Sequence, residues 1–147
     1  EINDCMLANF NAYIWWYLKR YYSMMGDGKA GTKEGEILTR GYMLSHFAKY
    51  VTHKTRIATE YTGKKYSKLS LSAYSDNNEV SIMLINSAPT HVYNIQVNLP
   101  FDVHQIRTVV TTPSSSMIER KMDAPDKHPI FTILPYSVTT IIINKSL

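Results

Sequence analysis

A single cysteine, Cys5, is all the thiol chemistry this chain holds, which excludes an internal disulfide and any zinc site built on cysteine. The five histidines, His46, His53, His91, His104 and His128, are never closer than seven positions apart, so no metal-ligand spacing appears. Neither a metal nor another cofactor is expected. No apolar run approaches the roughly 20 residues that a membrane-spanning helix needs, and no membrane partner is expected. The opening residues, EINDCM, are polar and carry no leader pattern; they read as the middle of a chain already under way, which leaves secretion undecided at this level.

Charge is also modest. Charged residues make up 19% of the chain and hydrophobic ones 44%, so disorder is not the default reading. Sixteen Lys and Arg face twelve Asp and Glu, a formal +4 that reads as spread along the chain. Such an excess suits an acidic polysaccharide as well as a nucleic acid and decides neither. What the chain does have is aromatics: eleven Tyr and two Trp, most of them crowded into its first third. Flat rings with a polar edge suit sugar faces, although core packing is their commoner use.

The chain of 147 residues is long enough for one domain with a core, or for a small domain carrying a piece of another. It is too short for a complete (β/α)8 barrel, which takes about 250 residues. Ile2, Cys5 and Met6 have weak helical spacing, as in the last turns of a helix. Ala12 to Trp16 is a short apolar run that reads as a fully buried strand of the kind parallel sheets use. Ser23 to Glu36 is a Gly- and charge-rich loop. Thr39 is placed to cap a helix whose apolar face holds Tyr42, Met43, His46, Phe47 and Tyr50.

After about residue 55 the period changes from 3.6 to 2. Strands are predicted near Arg56–Tyr61, Leu69–Ser75, Glu79–Asn86, Tyr93–Leu99, Ile106–Thr112, Met117–Lys121, Ile130–Leu134 and Val138–Asn144, with DNN at 76–78 and SAPT at 87–90 as turns. Many short strands at regular spacing imply an antiparallel β-sandwich. The chain is therefore expected to divide into 1–53, a single βα unit, and 54–147, a β domain. A lone βα unit cannot cover both faces of its own sheet, so a partner segment is expected upstream.

The residues placed to do chemistry are Trp15, Trp16, Tyr17, Lys19, Arg20, Tyr21 and Tyr22, at the end of the predicted buried strand. In barrel enzymes the C-terminal strand ends and their loops form the active site. Trp16, at the last strand position, is the candidate wall of a sugar subsite. Arg20 offers a planar fork that grips a carboxylate in two places, which the ammonium of Lys19 cannot do. Tyr22 can add a hydroxyl to the same anion. Tyr13 and Trp15 read as core and Lys19 as a solvated rim.

The run AYIWWYLKRYY at 12–22, the GDG at 26–28 and TRGYMLSHFAKYV at 39–51 resemble the end of the barrel in glycoside hydrolase family 30, specifically its bacterial xylanases. LSLSAYSDNNEVSIMLIN at 69–86, TTPSSSM at 111–117 and LPYSVTTIII at 134–143 resemble that family's side β domain. The resemblance implies the last βα unit of a (β/α)8 TIM barrel followed by an antiparallel β-sandwich side domain. It further implies a secreted parent enzyme that hydrolyses β-1,4-xylan with retention, and xylan or glucuronoxylan and the upstream barrel segment as partners. In members that require glucuronic acid branches, the arginine of this motif binds the branch carboxylate. That position falls on Arg20, and the flanking Trp and Tyr on Trp16 and Tyr22. Lys19 stands where close relatives often have a second arginine.

Retaining glycosidases need two carboxylates about 5 Å apart. In the family both belong to earlier barrel strands, so no catalytic residue is expected among these 147. Glu1 aligns with the helix before the last strand, not with the nucleophile. The other acids, Asp27, Glu34, Glu36, Glu60, Asp76, Glu79, Asp102, Glu119, Asp123 and Asp126, read as solvated charge. The competing reading is a non-catalytic carbohydrate-binding β-sandwich using tyrosines such as Tyr66, Tyr74 and Tyr93. Nucleic-acid binding, which rests only on the charge and the run at 15–22, ranks far below both, and no nucleic-acid partner is expected.

Overall fold

The computed structural model describes residues 1–123 and 128–146. Among these residues are two helices, α1 (Ile2–Leu7) and α2 (Thr39–Tyr50). The strands are β1 (Thr55–Ile57), β2 (Leu69–Ser75), β3 (Glu79–Asn86), β4 (Tyr93–Gln96), β5 (Val103–Thr112), β6 (Ser115–Asp123), β7 (Ile130–Ile133) and β8 (Ser137–Lys145). Each falls on a predicted strand. β2 and β3 match residue for residue, β5, β6 and β8 run longer, and β1 and β4 are cut to three and four residues.

Six strands form one antiparallel sheet in the order β1-β2-β3-β8-β5-β6, and β4 pairs with β7 in a second, two-stranded one. The centre is β8, whose run Val-Thr-Thr-Ile-Ile-Ile is β-branched throughout and buried on both sides. Alternation then assigns its side chains to two layers. Ile141 and Ile143 join Ile82, Leu84, Ile106, Phe131 and Ile133 in the core shared with β4 and β7. Val138, Thr140 and Ile142 face α2, where Phe47 packs with Tyr74, Met83 and Val138, and Tyr50 with Val109 and Ile142.

Polar side chains fix this arrangement at three places. Asn3 of α1 donates from Nδ2 to Ser70 Oγ at 2.6 Å and accepts from Ser72 Oγ at 2.6 Å, which seats α1 on β2. His46, fully buried, lies between Thr140 Oγ1 at 2.7 Å and Thr111 Oγ1 at 2.9 Å, so α2 is bonded to β8 and β5 at once. Lys54, just after α2, reaches Glu79 and Ser81 on β3, and Arg107 on β5 bridges Glu79 at 3.2 Å and Glu119 at 3.5 Å.

Three expectations require correction. Ala12–Trp16 forms no strand: its side chains alternate as in a strand, with Tyr13 and Trp15 half-buried and Ile14 and Trp16 exposed, but no neighbouring strand pairs with it. A strand without a ladder leaves its backbone groups to water, and one of its faces stays uncovered. Thr39 does not cap α2; Leu38 occupies the cap position, with no side-chain cap bond, and Thr39 is the first helical residue. Glu79 is not a solvated charge but the shared partner of two cations.

Candidate functional site

The chain between α1 and α2 is a loop stitched to itself. The Met25 N–H donates to the Leu18 carbonyl at 3.1 Å, and the Arg20 N–H to the Met25 carbonyl at 2.9 Å. Gly26 N–H donates to the Glu36 carbonyl at 2.8 Å, and Leu38 N–H to the Met24 carbonyl at 2.8 Å. Residues 18–20, 24–26 and 35–38 therefore lie side by side. Gly26 makes this possible, because a Cβ there would stand 2.2 Å from the Lys33 carbonyl oxygen. Tyr17 adopts a left-handed φ of 61°, and its carbonyl accepts from the buried Ser23 hydroxyl.

Arg20 projects from this frame. Its Nη1 lies 4.0 Å from Asp27 Oδ2, with the Asp27 side chain only 12% exposed and that of Arg20 40% exposed. The guanidinium lies 4.9 Å from the Tyr17 ring centroid, and Trp16 meets the same ring edge-on at 4.8 Å. Trp16 and Arg20 are thus both brought into contact with Tyr17, a residue that the sequence places in the cluster without a role of its own. Tyr22 packs instead against Tyr21, at 4.9 Å and 89°. Lys19 is held to Glu34 at 2.6 Å, an exposed pair in which the ammonium draws the Glu34 carboxyl below its ordinary value.

Trp15 faces the other way from Trp16, under the Arg40 guanidinium of α2 at 4.0 Å. Tyr13 donates its hydroxyl to Glu1 Oε1 at 2.7 Å; burial and that carboxylate raise its pKa to about 12, so it stays protonated and serves as a donor. Two clefts of about 540 and 530 Å3 flank α2 and share Ile2, Tyr13, Leu44 and Phe47. On the outside, Phe10, Ile14, Trp16 and Leu18 are 58%, 91%, 73% and 63% exposed.

Of the other acids, Asp27 is held beside Arg20, and Glu79 and Glu119 are bridged by Arg107. Asp126 and the side chain of Asp123 lie outside the described residues. Among the described residues no group of His, Cys, Asp and Glu could hold a metal, and no helix is long and apolar enough to cross a membrane. The tyrosines named for a binding module behave differently from one another: Tyr74 and Tyr93 are buried, and Tyr66 is partly exposed.

No family model matches the chain. It is 29% identical, over 147 residues and 99% of its length, to the glucuronoxylanase XynC of Bacillus subtilis strain 168. It superposes with a TM-score of 0.80 on a glycoside hydrolase family 30 subfamily 8 xylanase from Clostridium acetobutylicum. The chain resembles the C-terminal part of a family 30 xylanase. A family 30 endoxylanase from Clostridium papyrosolvens superposes with a TM-score of 0.78; both structures are 24% identical to the chain, cover 97% of it, and are themselves covered over 36%. The chain spans about a third of the length of the curated relatives it matches, 33% in XynC. The resemblance read from WW, the basic pair and the tyrosines therefore holds for the whole chain, and the antiparallel fold built around β8 is the fold of that C-terminal part.

Proposed function

We propose that the chain is the C-terminal part of a secreted, retaining endo-β-1,4-xylanase that acts on glucuronoxylan. In this reading residues 1–53 close a (β/α)8 barrel and residues 54–147 form its β-sandwich side domain. The segment Ala12–Trp16, which pairs with no strand although its side chains alternate, supports it, since a barrel strand needs neighbours on both sides. The pair of catalytic carboxylates comes from the upstream barrel, and the 147 residues alone do not hydrolyse xylan.

The observation that carries the reading is Arg20. It is a guanidinium at the rim of a stitched loop, partly open, with one carboxylate at the outer limit of ion-pairing distance and a ring beneath it. A branch uronate fits the remaining donors of the fork in two places. Trp16 supplies a ring face for the xylose unit, and Tyr22 a hydroxyl.

A chimera tests this reading. Replacing the C-terminal third of the Bacillus subtilis glucuronoxylanase with this chain restores hydrolysis of glucuronoxylan if the reading holds. A folded chimera without activity on any xylan overturns it.

A further inference from the structure

The excess charge is not spread evenly, as its sum suggests. Residues 54–68 hold Lys54, Arg56, Lys64, Lys65 and Lys68 against Glu60 alone, an excess equal to the +4 of the whole chain. Two of these cations have internal partners: Lys54 bonds Glu79 and Ser81, and Arg56 donates to Asn9 Oδ1 at 2.7 Å. Lys64, Lys65 and Lys68 form no ion pair among the described residues. Three exposed cations stand within five positions, and the one internal contact shown for their ammonium groups is that of Lys64 with the Tyr66 ring.

The loop that carries them is held in place. Gly63 turns it at a φ of 94°, where a side chain would be strained. The Tyr61 hydroxyl donates to the Lys64 carbonyl at 2.7 Å, Leu69 N–H to the Tyr66 carbonyl at 3.1 Å, and Ser87 N–H to the Lys68 carbonyl at 2.8 Å. Between the lysines stands Tyr66, its ring 4.8 Å from buried Tyr93 and 6.2 Å from His91, with Lys64 Nζ 5.5 Å from its centroid.

We propose that the loop at 61–68, with His91 beside it, is an accessory binding surface for an acidic polysaccharide, in which Tyr66 meets a sugar ring and the lysines meet uronate carboxylates. The choice of glucuronate-bearing xylan as the ligand rests on the xylanase reading above; the surface itself does not. A single-stranded nucleic acid fits less well. Such strands stack successive bases on a series of open rings, whereas Tyr93 is buried here and only the Tyr66 ring and the small His91 ring are open at this loop.

Affinity electrophoresis of the full chain in gels containing glucuronoxylan tests the proposal. Retardation is expected, and it falls when the xylan carboxyls are chemically reduced to alcohols. Changing Lys64, Lys65 and Lys68 together to Ala weakens binding roughly tenfold, the summed effect of three exposed charges. Tyr66→Ala weakens it with all lysines present, while Tyr66→Phe retains it; thermal unfolding of each variant controls for loss of packing against Tyr93. Unretarded wild-type chain, or retardation indifferent to the lysines, overturns the proposal. Equal loss on an oligonucleotide assigns the surface to nucleic acid instead, and indifference to Tyr66→Ala reduces it to polyanion adsorption. An active chimera with an unretarded chain sinks this inference alone; a retarded chain with an inactive chimera sinks the xylanase reading alone.

Discussion

Arg20 and Asp27 face each other at 4.0 Å across the stitched loop, the acid largely buried and the base half open. At this distance the pair is an orienting contact rather than a tight bidentate bridge, which leaves guanidinium donors available to a second carboxylate. Asp27 thus holds Arg20 in place without saturating it. In the active chimera, Asp27→Asn is expected to raise KM for glucuronoxylan a few-fold and leave kcat nearly unchanged. Steady-state kinetics check this, and an unchanged KM contradicts the orienting role.

Gly26 is the steric condition for that frame. A Cβ at this position would meet the Lys33 carbonyl oxygen at 2.2 Å, a backbone atom that no rotamer change moves aside, so the loop must open to admit it. Gly26→Ala is expected to cost about 1–3 kcal/mol, the range of overpacking in a well-filled site. Urea unfolding gives the number, and a cost near zero would show that the loop relaxes freely.

His46 makes stability depend on pH. Burial lowers its pKa to about 4 from an ordinary 6.5, so the unfolded chain binds the proton more readily between those values. Stability is therefore full above about pH 6.5 and falls as pH drops toward 4, by roughly 3 kcal/mol at most. Asp76, held below its ordinary value first by the Asn78 N–H, loses its contribution only under more acid conditions. Urea midpoints between pH 4 and 7 should show the slope, and His46→Gln should flatten it. A slope that persists in the variant assigns the effect elsewhere.

Lys54 joins the end of α2 to the sheet. Its side chain is 7% exposed, and its ammonium serves both Glu79 and Ser81. Lys54→Met leaves Glu79 to Arg107 alone, and a loss of about 2 kcal/mol is expected from breaking one side of a mostly buried network. Thermal unfolding of Lys54→Met beside Glu79→Gln and the double variant measures the coupling; strict additivity would mean that the contact carries none.

Much of the β domain was legible because its signal is local. The alternation in Leu69–Ser75 and Glu79–Asn86 and the DNN turn between them need only neighbours in sequence. What escaped was non-local. That β4 and β7 leave the main sheet to pair with each other depends on register across 34 to 40 residues, and nothing in YNIQ or IFTI states it. The face containing His46 was readable from helical spacing, but its partners Thr111 and Thr140 come from two distant strands. At the site, Trp16 and Arg20 were identified by motif, and Tyr17 was in the same cluster, but its place in contact with both was not readable because its left-handed backbone is a property of the turn. The charge cluster at 64–68 was visible all along in local counts, and a single net value concealed it.

The central claim, that Arg20 selects the uronate branch, is tested most directly by kcat/KM of the chimera and its Arg20→Ala variant on glucuronoxylan and on undecorated xylo-oligosaccharides. The expected result is a loss of about 10- to 100-fold on the decorated substrate, the worth of a charged hydrogen bond of 1.5–3 kcal/mol, with the undecorated substrate cleaved as before. An equal loss on both substrates would contradict it.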